Sequence, residues 1–426
     1  MLKDNVRDRH SSPSLEELGD KLHSFACDTG LIVRRTRSFS AEGFLLSMLK
    51  AVCSGNASFN RIACSLSQSE TRSMSRQAVH SRMKAEAVGF LDAVLDHIVR
   101  QRIDSLAPAD ERIFRRILIQ DSTQFKMHRG NHQTYPSLDN NSGRTAGVKI
   151  DMKFDVVTGR PLTPRQSPAR TQDKTLGPEL IDEVEKGDLV IRDMGYFALQ
   201  SFIAIASKGA WWISRLHGLV EAKLVNGTTL EDHLAHGVAD RIDVPILLGK
   251  MEYPARLIAT RVPVEVAARR RAARREKSSK QGHKPSVRAL TRDDWTIHVT
   301  NLDGTIMSAE AVASAYRLRW EIEIKFRAWK QSSELGRALS RISNEHHLRA
   351  LVTAAMIYFV LTLNLAKDIT DYHPGKKLSF EKVCTWISES LLRMTRLEFP
   401  PLKDLRYLMA DRRKRSTLRD LYHSLN

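Results

Sequence analysis

Two short apolar runs, each closed by an aspartate, constrain this chain more than any other feature. Phe114 to Gln120 reads FRRILIQ and is followed by Asp121; Asp188 to Arg192 reads DLVIR and is followed by Asp193. Ile, Leu and Val bounded by polar residues predict strands covered on both faces, and therefore a sheet with helices packed against it. A carboxylate just past such a strand stands at the carboxyl end of the sheet, where ligands of open α/β sheets bind. Each aspartate taken alone fits a turn or a helix cap equally well.

The neighbouring segments extend that sheet. Val148 to Val156 alternates Val148, Ile150, Met152 and Phe154 with Lys149, Asp151, Lys153 and Asp155, the period of a half-buried strand. A helix is predicted near Leu176 to Val184, an apolar helix through Ile203 and Ile205, and a strand from Trp211. VPILLGKM and ARLIATRVPV read as further strands between about 216 and 295. The amino-terminal part is helical, with apolar residues at helical spacing in FLLSMLKAV and FLDAVLDHIV. Between these, Ser58 to Met83 reads as two short helices, the second capped by Ser75, which serve either as a helix-turn-helix DNA reader or as ordinary packing. Ala350 to Ala366 is the one stretch resembling a membrane span; it is short and contains Thr353, Thr362 and Asn364, so a buried helix is predicted.

Near the carboxyl end, YRLRWEIEIKFRAWK runs from Tyr316 to Lys330, within a long helix that Ser308 would cap. At ~100° per residue, Tyr316, Arg319, Glu323 and Lys330 fall at about 0°, 300°, 340° and 320°, so they share a face. One carboxylate among two cations and a phenol suits a site holding a divalent metal and a polyanion together. Arg319 and Glu323 also form a possible (i, i+4) ion pair on a solvated face.

Tyr, two residues, Arg, three residues, Glu, six residues, Lys is the helix signature of the DDE transposases of the insertion-sequence-four type, and this chain resembles them at every spacing. DMGYF from Asp193 resembles the segment around that family's second catalytic aspartate, and the strand before Asp121-Ser-Thr resembles the one around its first. The resemblance implies an α/β fold, with an RNase H-like mixed-sheet catalytic core over 113–345 interrupted at about 216–295 by a strand-rich insertion. Helical regions flank it at 1–112, where recognition of DNA ends would lie, and at 346–426. It implies a catalytic and metal-binding triad of Asp121, Asp193 and Glu323, holding Mg²⁺, with Mn²⁺ as a substitute and two ions in the site. Tyr316, Arg319 and Lys330 would touch the DNA backbone. The partners implied are transposon ends and target DNA, in a synaptic homodimer within the prokaryotic cytoplasm, at the nucleoid.

The resemblance extends to Trp295, which lies 21 residues before Tyr316 in WTIHVTNL and would stack on a base flipped from the duplex. A tryptophan in an alternating strand is more often a core residue. Trp320 and Trp329 are read as packing residues. The densest basic run, from Arg269 to Lys284, includes Arg269, Arg270, Arg271, Arg274 and Arg275; it is read either as a mobile loop or as a DNA-backbone contact. Arg412 to Arg415 is a second basic run.

Composition agrees with a polyanionic partner: 67 Lys and Arg against 49 Asp and Glu give a formal charge of +18. Cys27, Cys53, Cys64 and Cys384 lack zinc-ligand spacing and suit a reducing compartment. The charged amino terminus is not a secretory signal. No Walker-type phosphate loop, HExxH or GxSxG is present, and the missing nucleotide motif argues against an ATP-driven helicase or recombination motor. The functions left open are metal-dependent cleavage and joining of DNA ends, an RNase H-like nuclease that does not join, and a noncatalytic DNA-binding regulator.

Overall fold

A computed structural model describes residues 13–33, 39–69, 73–100, 113–138, 144–156, 160–162, 164–173, 175, 181–236, 239–372, 378–398 and 405–409. The basic run Arg412 to Arg415 and most of the predicted helix from Leu176 lie outside them. The first elements are α1 (Pro13–Asp28), α2 (Ala41–Ser54), α3 (Phe59–Ser69), α4 (Arg76–Arg82) and α5 (Ala85–Arg100). Next come β1 (Ile117–Met127), β2 (Ala146–Asp155), β3 (Arg160–Pro161), β4 (Arg165–Pro168), β5 (Leu189–Arg192), α6 (Leu199–Ser207) and β6 (Trp211–Arg215). The following stretch holds β7 (Ala222–Leu224), α7 (Leu230–His236), β8 (Arg241–Leu248), β9 (Tyr253–Arg261), α8 (Val264–Lys280), α9 (Val287–Asp293) and β10 (Trp295–Thr300). The chain then closes on α10 (Ala309–Arg317), α11 (Arg319–Ser332), α12 (Leu335–Leu339), α13 (Glu345–Tyr372) and α14 (Phe380–Arg393). The chain divides into two units, one of residues 1–108, 122–171 and 322–415, the other of 109–121, 172–321 and 416–426.

In the second unit the strands lie in the order β1-β5-β6-β10-β9-β8-β7. β1, β5 and β6 run parallel, and the remaining neighbours are antiparallel, giving a mixed sheet. The two aspartate-closed runs therefore become adjacent strands, as their apolar composition predicts. Leu118, Ile119, Leu189, Ile191 and Ile213 have no exposed surface, and each such burial contributes roughly 1.5–3 kcal/mol. Helix α6 covers the sheet by stacking Phe202 on Trp212, with ring centroids 4.3 Å apart. At the start of the parallel pair, Arg116 grips Asp188 with both arms, Nε to Oδ1 at 3.0 Å and Nη2 to Oδ2 at 2.6 Å. Asp188 has no exposed surface, so this bidentate pair fixes how β1 and β5 align. The predicted insertion contains the expected strands β8 and β9, together with three helices, α7 to α9.

The first unit is built around α13, whose Leu351, Ala354, Ala355, Ile357, Tyr358 and Val360 are fully buried. It packs against α2 and α5, and α14 packs on α2. The apolar window of α13 is long enough to cross a membrane, yet 89% of it is buried inside the protein, as a core helix requires. The expected pair of short helices is present as α3 and α4, with Ser75 Oγ accepting from the Ala78 N–H at 3.2 Å. β2 departs from its prediction. All ten of its positions are buried, including Lys149, Asp151, Lys153 and Asp155 at 1–3% exposure, so the charged face is covered rather than solvated. Alternation signals two chemically different faces, and here both are inside. Lys149 Nζ donates to the Thr171 carbonyl, which satisfies one of these charges.

Candidate functional site

Register places the two aspartates. β1 pairs with β5 through Gln120 and Arg192, and β5 pairs with β6 through Arg192 and Ser214. All three residues of that rung are buried, at 0–1% exposure. The next residue on each strand is Asp121, Asp193 and Arg215 in turn, and alternation turns these three to the opposite face. Neighbouring strands lie ~4.8 Å apart, so the two aspartates begin about 5 Å from each other where the pairing of these two interior strands stops. Asp121 sits inside β1, which continues to Met127, rather than at its end; only the pairing with β5 stops there. Asp193 is still extended, with φ −76° and ψ 165°, before the chain turns through Met194–Tyr196. At Gly195 in that turn a Cβ would stand 2.9 Å from the Asp173 carboxylate, which would have to shift to admit it.

Asp193 is already engaged. Tyr316 Oη donates to its Oδ1 at 3.1 Å, and Arg319 Nε lies 3.7 Å from the same oxygen. The Arg319 guanidinium is 5.7 Å from the Tyr316 ring centroid. Burial, and then the charge of Asp193, push the Tyr316 phenol well above its ordinary value, so it remains a donor at every working pH. Behind Tyr316 stands His298 of β10, its ring centroid 4.8 Å away. Burial, helped by the Arg215 charge, brings this imidazole down to about 4.

The single long helix expected here is two. Ser308 caps α10, accepting from Ala311 N–H at 3.2 Å, and the helix ends at Arg317; α11 starts at Arg319. Tyr316 thus belongs to the first helix, and Arg319, Glu323 and Lys330 to the second. Asp121, Asp193, Tyr316 and Arg319 all belong to one unit, whereas Glu323, half-buried, and Lys330, exposed, belong to the other. Lys330 Nζ lies 5.3 Å from the Phe125 ring centroid. Trp329 is fully buried, as its packing role requires, but Trp320 is 53% exposed and is not a core residue.

Trp295 is 2% exposed, with the Arg261 guanidinium 4.4 Å over its ring. Of its two readings, the structure displays the core one. The basic run is neither a loop nor uniformly outward, since Arg269 to Arg275 lie within the helix α8. Arg270 donates to the Trp295 carbonyl at 3.0 Å, Arg271 pairs with Asp294, and Arg274 holds Asp293 at 2.6 and 2.7 Å. Arg269 and Arg275 face solvent. The run reads as a loop because charge without apolar periodicity gives no helix signal, and these pairs supply what periodicity does not.

The carboxylate oxygens of Asp121 and Asp193, with no thiol among the predicted ligands, suit a hard divalent cation. Among the described residues, no group of three or more His, Cys, Asp or Glu side chains lies close enough to hold a metal ion. Arg215 and His298 were not predicted as site residues. The signal for Arg215 was present, since WWISR is another apolar run closed by a charged residue.

The transposase DDE domain family matches residues 112–360. The transposase for insertion sequence element IS231B of Bacillus thuringiensis subsp. berliner is 28% identical over 347 residues, covering 76% of this chain and 71% of the relative. The transposase for insertion sequence element IS1151 of Clostridium perfringens is 22% identical over 358 residues, covering 76% and 74%. Among solved structures, the piggyBac transposase synaptic complex with hairpin DNA aligns at 12% identity with a TM-score of 0.46, covering 96% of this chain and 83% of that one. With the family match spanning more than half of its 426 residues, the chain belongs to the DDE-domain transposases.

Proposed function

We propose that this transposase cuts the ends of an insertion sequence and joins them to target DNA, with Asp121, Asp193 and Glu323 as its catalytic carboxylates. The observation that carries the reading is the alignment of Asp121 and Asp193 on adjacent parallel strands, with Tyr316 and Arg319 of the signature on the second carboxylate. DDE transposases work with divalent metal ions, and Asp121, Asp193 and Glu323 would hold Mg²⁺ here. When bound, such ions polarise the phosphodiester and stabilise the charge developing on its oxygens.

The remaining residues bind and orient. Arg319 offers a planar fork that matches a phosphate, Lys330 adds a point charge, and Tyr316 would turn its single hydroxyl proton from Asp193 to reach the DNA backbone. Water displaces one strand at phosphorus, and the freed terminal hydroxyl then attacks a target phosphate, an in-line exchange that conserves one phosphodiester bond. Two copies of the chain would hold the two ends of the element, in the prokaryotic cytoplasm. The outward Arg269 and Arg275 would track the backbone, and Trp295 would stack on a flipped base only after Arg261 leaves its ring.

Glu323→Gln should abolish Mg²⁺-dependent cleavage of a duplex carrying the element's terminal repeat while leaving its affinity for that duplex within a few-fold. Cleavage by the variant at the wild-type rate rejects the triad. Incubating the cut ends with a supercoiled plasmid then checks joining, since recovery of cut ends alone identifies a nuclease.

A further inference from the structure

We infer that Arg215 is a further DNA-binding residue of this site, which takes a phosphate of the strand being cut. The inference rests on reading the strand ends that carry Asp121 and Asp193 as the site of cleavage, and it follows from position, surroundings and the lack of a side-chain partner among the described residues.

β6 pairs with β5 through Ser214 and Arg192, so Arg215 stands level with Asp193 on the adjoining parallel strand and leaves the sheet on the same face. On its other side β6 meets β10, where Arg215 lies directly across from His298. Residues facing each other in an antiparallel pair project to the same side. His298 packs on Tyr316, and Tyr316 binds Asp193, so the cationic end of β6 looks onto the group that holds the second carboxylate. The charge of Arg215 is felt at both His298 and Tyr316.

Several other buried or half-buried arginines of this unit are held by protein carboxylates. Arg116 holds Asp188, Arg256 holds Asp243, Arg274 holds Asp293, and Arg292 binds Glu231. The guanidinium of Arg215 is half-buried and makes no hydrogen bond or ion pair with any described residue. A half-buried cation at the carboxyl end of a central strand suits an anion, and the carboxylates of Asp121 and Asp193 are the proposed metal ligands rather than its partners. A phosphodiester oxygen fits, because the guanidinium fork matches it and the reaction places one beside Asp193. His298, neutral and buried, adds no competing charge beside it.

The test uses the full chain and duplexes carrying the terminal repeat, with single methylphosphonates that remove the charge of one phosphate at a time around the cut. Arg215→Gln should bind the unmodified duplex roughly 10- to 100-fold more weakly and lower the salt dependence by about one counterion. One methylphosphonate should weaken the wild type equally and Arg215→Gln not at all, which names the phosphate. Arg215→Lys, which keeps the charge and loses the fork, should recover most of the affinity and little of the cleavage rate; it also serves if the glutamine variant melts early. Binding by Arg215→Gln within about two-fold of wild type, or an equal further loss at every modified position, overturns the assignment. The map is read as binding, so it stands apart from the chemistry beneath it. Asp193→Asn cleaving normally would remove the proposed catalytic site, whereas a flat map removes Arg215.

Discussion

Burial tunes side chains in both units, and one histidine in each makes that measurable. His298 sits under Tyr316, and His347 stacks on Phe59 with centroids 4.6 Å apart; burial brings both down to about 4. A folded-state value below the unfolded ~6.5 means that the unfolded chain takes up a proton the native chain refuses. Stability is thus complete above about 6.5 and falls as the pH drops toward 4, by at most about 3 kcal/mol for each histidine. His347→Phe should flatten the fall in the thermal midpoint between pH 7 and pH 4.5; a profile parallel to wild type would show that His347 does not carry it. The sequence named Asp121, Asp193, Tyr316 and Arg319 because spacing and strand ends are local signals. It passed over Arg215, although WWISR carries the same local signal, and His298, whose place depends on which strands become neighbours.

At the level of elements, the signature that reads as one helix is split at Leu318, and the cationic run that reads as a loop is helix α8. Both differences come from partners distant in sequence. Arg271 and Arg274 answer Asp294 and Asp293 at the end of α9, so Arg271→Ala with Arg274→Ala should destabilise the protein by about 1–3 kcal/mol, seen as a lower thermal midpoint. Arg269→Ala with Arg275→Ala should leave that midpoint unchanged and reduce the salt dependence of DNA binding by about two counterions. Reversed results would mean that the outward cations are structural and the paired ones bind DNA. Similarly, Asp188→Ala leaves Arg116 charged and buried and should cost about 3–5 kcal/mol, loosening the alignment of β1 and β5 on which the two aspartates depend. The apolar strands were legible from Ile, Leu and Val alone. The covered charged face of β2 was not, since alternation reports a difference between faces and not which of them is wet.

Across the whole chain, a charge of +18, a family match over residues 112–360 and relatives that transpose insertion sequences describe a protein that handles DNA. The account depends on Asp193 being a metal ligand. Replacing its carboxylate by a thiolate tests this directly, because Mg²⁺ prefers oxygen donors and Mn²⁺ tolerates sulfur better. Cleavage of the terminal-repeat duplex by Asp193→Cys should vanish in Mg²⁺ and return in Mn²⁺. Equal rates in the two metals, whether both high or both absent while the fold and DNA affinity persist, would contradict it.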